Sequence, residues 1–74
     1  MATEEYAVKF GSRFIATLYA DSTSECETFD KAIKCKTIDE AKVLVNLSAR
    51  RNVGSTKVFN IQKRIVSYED VELT

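Results

Sequence analysis

From Tyr6 to Tyr19 the chain alternates with the period of a strand. Tyr6, Val8 and Phe10 are separated by Ala7 and Lys9, and Gly11-Ser12 is followed by Phe14, Ala16 and Leu18. The pattern predicts a hairpin, and the loop length sets its register. A two-residue Gly11-Ser12 loop pairs Phe10 with Arg13 and Val8 with Ile15. A three-residue Gly11-Ser12-Arg13 loop pairs Phe10 with Phe14, Val8 with Ala16 and Tyr6 with Leu18. The longer loop gathers the apolar residues on one face and is the expected register; it leaves Ile15 and Tyr19 on the outer face.

Residues 20–30 are largely polar and acidic, with one aromatic at Phe29, which predicts a mobile connecting loop. A short third strand is expected around Lys31–Lys36, with Ile33 and Cys35 pointing the same way. Thr37-Ile38-Asp39-Glu40 reads as a capping box. Thr37 caps the amide three residues on, and Glu40 reaches back to the Thr37 amide. The helix it opens runs from about Ile38 to Arg51 or Asn52 and stops before Gly54. Ile38, Ala41, Leu44, Val45 and Ala49 share its apolar face, while Val43 and Leu47 form a smaller stripe on the opposite side. Lys57–Tyr68 reads as a last strand whose apolar parity switches between Ile61 and Val66. A bulge near Gln62-Lys63-Arg64 or a break into two strands would account for the switch.

The order β-β-β-α-β predicts an α+β fold, a small antiparallel sheet with a single helix packed across one face. With 74 residues and 8.3 kDa, one domain over 1–74 is expected, ending in an acidic stretch at 69–74. Such a core is marginal, which favours oligomerisation or tight packing. No apolar run approaches the roughly 18 residues of a membrane span, and Met1-Ala2-Thr3-Glu4-Glu5 is not a signal-peptide start. A cytoplasmic location with reduced thiols is expected, with Cys35 packed as a small hydrophobe and Cys26 a spectator.

Composition then narrows the chemistry. The chain contains no histidine, tryptophan or proline. That removes the commonest general base and metal ligand, and neither a metal site nor a cofactor is expected. Gly11 and Gly54 are too few for a phosphate-cradling loop. Lys34 and Lys36 alternate away from Cys35, so nothing lowers its thiol pKa. No enzymatic activity is expected.

Eleven basic residues balance eleven acidic ones, but not evenly. Residues 1–30 carry −4, residues 31–64 carry +7 and residues 65–74 carry −3. The basic segment supports one reading of function, a nucleic-acid-binding accessory protein using Arg50, Arg51, Lys57, Lys63 and Arg64. The alternative arrangement turns those cations toward the acidic segments. The Val43/Leu47 stripe supports the reading preferred here, a non-enzymatic protein-binding module contacting its partner through Val43, Leu47, Arg50 and Arg51. The acidic 20–30 loop would be a second surface, and either a homodimer or a different protein would be the partner.

Tyr6-Ala7-Val8-Lys9-Phe10-Gly11, the phenylalanine-led strand after it, Phe29 to Ala32 and Thr37-Ile38-Asp39-Glu40-Ala41 together give a layout that resembles small uncharacterised proteins of tailed bacteriophages of Gram-positive bacteria. The resemblance implies an early or accessory viral protein acting in the host cytoplasm, where several such proteins inhibit host enzymes or anti-phage defence proteins. It brings no site residues with it.

Overall fold

A computed structural model describes residues 2–67 and 71–72. Four strands, β1 (Ala2–Phe10), β2 (Arg13–Leu18), β3 (Thr23–Cys26) and β4 (Phe59–Ser67), form one antiparallel sheet in the order β3-β2-β1-β4. One helix, α1 (Ile38–Arg51), packs over β1 and β4. The α+β class and the single helix across the sheet are as expected. Tyr68, Glu69 and Asp70, which the expected last strand and acidic end include, lie outside the described residues.

The hairpin register departs from expectation. Phe10 pairs with Arg13 and Lys9 with Phe14, so the loop is the two-residue Gly11-Ser12. Gly11 has φ +67°, and no non-glycine residue among those described has a positive φ. Glycine with positive φ at the first central position is the type II′ pattern, whose twist matches that of the flanking strands. The one-residue difference exchanges the two faces of β2. Ile15, expected outside, is wholly buried with Val8, Phe10, Leu44 and Ala41 under the helix. Phe14 goes to the other face, where it is buried with Ala7 and Ala32 and partly covered by Phe29 and Cys26. The three-residue loop assumed a single apolar face, whereas this sheet has two.

The β1–β2 pairing is short, and the chain returning from β3 occupies the edge that it leaves. Ile33 N–H donates to the Ile15 carbonyl (3.1 Å), and Cys35 exchanges both backbone hydrogen bonds with Tyr6 (2.7 and 2.8 Å). The strand expected at 31–36 is thus a single bridge preceded by a 3-10 turn at Phe29–Lys31. The segment 20–30, expected to be a loop, instead contains β3, paired with β2 through a register shift between Ile15 and Thr17. An edge strand needs only backbone pairing and a half-buried face, so Thr23-Ser24-Glu25-Cys26 suffices despite its polar composition.

The helix bounds agree with the sequence reading. Thr37 Oγ1 accepts the Glu40 amide at 3.1 Å, as a cap should. The Glu40 carboxylate reaches one residue further back than the capping box predicts, taking the Lys36 amide at 3.0 Å. The buried positions are Ala41, Leu44 and Ser48, with Val45 packed beside them; Ile38 and Ala49, expected in the core, are exposed. The contact stripe passes through Ser48, which is on the sheet side of the helix axis.

β4 pairs with β1 without interruption from Phe10↔Phe59 to Ala2↔Ser67, so neither the bulge nor the break is present. The parity switch has another cause. Phe59 and Ile61 face the helix, with Phe59 stacked on Phe10 at 4.5 Å, while Arg64 and Val66 lie on the opposite face. Ile65 shares the helix-side parity, yet it is exposed.

Candidate protein-binding surface

Val43, one turn before Leu47 on α1, is 57% exposed on the side of the helix away from the sheet. Leu47 is half-buried rather than fully outward, and its carbonyl accepts Arg51 Nη1 at 2.8 Å. Arg51 also donates from Nε to the Tyr19 carbonyl at 2.6 Å, joining the end of β2 to the last turn of the helix. Its role in the fold is therefore a tie between two elements. The tie brings Tyr19, itself 53% exposed, to the same end of the molecule as Leu47 and Arg50. The sequence pattern places Tyr19 with Ile15, but Ile15 is wholly buried whereas Tyr19, beyond the irregularity in the β2–β3 pairing between Ile15 and Thr17, is exposed. The described surface around the helix end thus includes Val43, part of Leu47, Arg50 and Tyr19.

The five cations of the nucleic-acid reading do not converge. Lys57 Nζ pairs with Glu25 at 3.7 Å and lies 5.1 Å from the Phe10 ring centroid. Lys63, on the helix face of β4, pairs with Glu4 at 3.5 Å. Arg64 is on the opposite face, with Glu5 at 2.9 Å and Asp30 at 2.5 Å. Among the described residues only Arg50 of the five has no ion pair or hydrogen bond from its side chain. The basic middle of the chain meets the acidic segments before it, as the charge-matching alternative expects.

Arg64 organises the second face of the sheet. Its guanidinium carbon lies 4.5 Å from the Phe29 ring centroid while Glu5 and Asp30 take its N–H groups, leaving the buried Nε without a partner. The Arg64 hydrogen bond, then its charge, hold the Asp30 carboxyl below the ordinary range. Nothing in local spacing signals this cluster, because its members come from β1, the 3-10 turn and β4.

The Cys35 thiol is pushed up by burial first and then by Glu40, which keeps it protonated. Beside it a cavity of about 550 Å³ is lined by Thr3, Glu4, Glu5, Lys34 and Lys36. Among the described residues no group of three His, Cys, Asp or Glu side chains is placed to hold a metal ion. Among the described residues no helix is long and apolar enough to cross a membrane. Comparison with protein-family models, curated proteins and solved structures gives no match.

Proposed function

We propose that the chain is a non-enzymatic protein-binding module that masks the surface of a partner protein. The observation that carries this reading is the exposure of Val43 on the outer face of α1, beside Leu47 and Arg50. An apolar patch with a cation at its rim suits a partner surface with an apolar depression bordered by acidic groups. Arg51 supports the patch from behind through Leu47 and Tyr19. The phage-protein resemblance supplies a context for such masking, the inhibition of a host or anti-phage defence protein. Nucleic-acid binding is the weaker reading, because phosphate contacts would have to displace the ion pairs of Lys57, Lys63 and Arg64.

The test is capture from host-cell extract by wild-type chain and by a Val43→Lys, Arg50→Glu variant. Both substitutions are on exposed side chains, so the melt should be unchanged while captured protein is lost. A partner captured equally by both chains would overturn the assignment of this face.

A further inference from the structure

The outer edge of β4 is a second surface, built from backbone rather than from the helix. Tyr6 turns its N–H and C=O toward Cys35, whereas Gly11 donates to Val58 at 3.0 Å, on the β4 side. Even-numbered residues of β1 therefore face Cys35 and β2, and odd-numbered ones face β4. With Glu5 opposite Arg64 and Ala7 opposite Gln62, the even residues of β4 are bonded inward. Phe59, Ile61, Lys63 and Ile65 present their N–H and C=O groups outward, and among the described residues nothing pairs with them. Natural edges are blunted by proline, bulges, shortness or charged side chains; of these β4 carries charge alone, and its outward-bonding Lys63 is paired with Glu4 of the same chain. This one is nine residues long and continuous in register, in a chain without proline.

The side chains on this edge are self-complementary. Between α1 and β4 lies a groove of about 440 Å³ lined by Lys42, Val45, Asn46, Phe59, Asn60 and Ile61. Farther along the same strand, on the same face, Ile65 is 62% exposed. A twofold axis through Lys63 would set two lysines directly against each other, which is unfavourable. An axis through Gln62 instead pairs Phe59 with Ile65 of the second copy, Ile61 with Lys63 and Asn60 with Arg64, opposing no like charges. Each Ile65 then enters the groove beside the other copy's Phe59, where Val45 and Ile61 are already half-buried.

We propose that two copies of this chain pair antiparallel through their β4 edges about Gln62, continuing the sheet across the dimer with both helices on one face. The proposal shares no residue with the helix-face reading and goes beyond it.

Sedimentation velocity of the full chain tests it. Wild type is expected at twice the 8.3 kDa mass. Lys63→Pro removes an outward N–H and no internal sheet bond, so it should remain folded and run as a monomer. Ile65→Lys, on an exposed side chain, should do the same and carries the test if the proline variant unfolds. A Gln62→Cys chain should oxidise to a dimer linked through residue 62, since residues facing across the axis lie within disulfide reach. Wild type running as a monomer throughout a concentration series would overturn the proposal, as would a dimer that persists in folded Lys63→Pro or Ile65→Lys. Linkage of Lys63→Cys but not of Gln62→Cys would overturn the register.

Discussion

Arg64 lies over Phe29, its guanidinium carbon 4.5 Å from the ring centroid, and the same guanidinium is shared by Glu5 and Asp30. One side chain thereby joins β1, β4 and the 3-10 turn on the face of the sheet that has no helix. A lysine retains the charge but loses the planar fork that serves two carboxylates at once. Arg64→Lys should lower stability measurably, by an amount kept small because the site is partly exposed and the pairs are screened. Urea denaturation checks this; an unchanged midpoint would mean that the cluster contributes no stability.

The acid limb of stability should run through Asp30 in this cluster and through Glu4 on the helix face. Asp30 is held below its ordinary 3.8 by Arg64, and Glu4 below its ordinary 4.5 by the Tyr6 hydroxyl first and Lys63 second. A carboxyl whose pKa is lowered by folding contributes fully above its unfolded value and loses that contribution as pH falls through the folded one. Stability should decline on acidification below about pH 4.5, and Asp30→Asn with Glu4→Gln should flatten the decline. Tyr6, raised above its ordinary 10.0 by the bond to Glu4, has the opposite sign: its contribution is retained below that value and lost in alkali as pH rises through the raised one. Chemical denaturation across pH measures both limbs; an acid limb of unchanged slope in the double variant would refute the assignment.

Gly11 distinguishes the type II′ turn from the longer loop. At φ +67° a side chain is strained, and a Cβ there would lie 3.3 Å from Lys57 Cδ. Gly11→Ala should cost about 1 kcal/mol or more, while Ser12→Ala should be nearly silent. Equal effects on the thermal melt would contradict the turn.

Ser48 is wholly buried against the sheet, and its hydroxyl has no hydrogen-bond partner. Removing an unpaired buried hydroxyl relieves its desolvation cost, and alanine is the better helix former. Ser48→Ala should therefore stabilise by about 0.5–1 kcal/mol. A lower melting temperature would show that the hydroxyl is bonded after all.

The helix was readable because its signals are local: Thr37 as cap, acids in the first turn, Arg50 and Arg51 in the last. The hairpin was readable as an element but not in its register. Either loop length gave an apolar face, and the choice depended on Phe14 having cover of its own from Phe29 on the far side. β3 was hidden by composition, since Thr23–Cys26 holds its place through pairing to β2. The parity switch in β4 is visible in the sequence but reflects neither the bulge nor the break that the pattern suggests: the strand pairs with β1 without interruption, and Arg64 and Val66 lie on its second face. Of the proposed contact residues, Val43 and Arg50 are exposed as expected, whereas Leu47 and Arg51 are partly committed to the fold.

The pairing of β1 with β4 also dictates when the domain can take shape during translation. Val8 has its partner at Ile61 and Phe10 at Phe59, with β2, β3 and α1 all emerging from the ribosome between them. Until that last strand appears, the apolar central strand lacks one neighbour, and Phe10 lacks the ring that stacks on it. The helix can form within microseconds, but the sheet must wait for its most distant segment. A nascent chain halted before Phe59 would leave Tyr6, Val8 and Phe10 open to holding chaperones and proteases, so quality control would act on this small domain as an all-or-none unit.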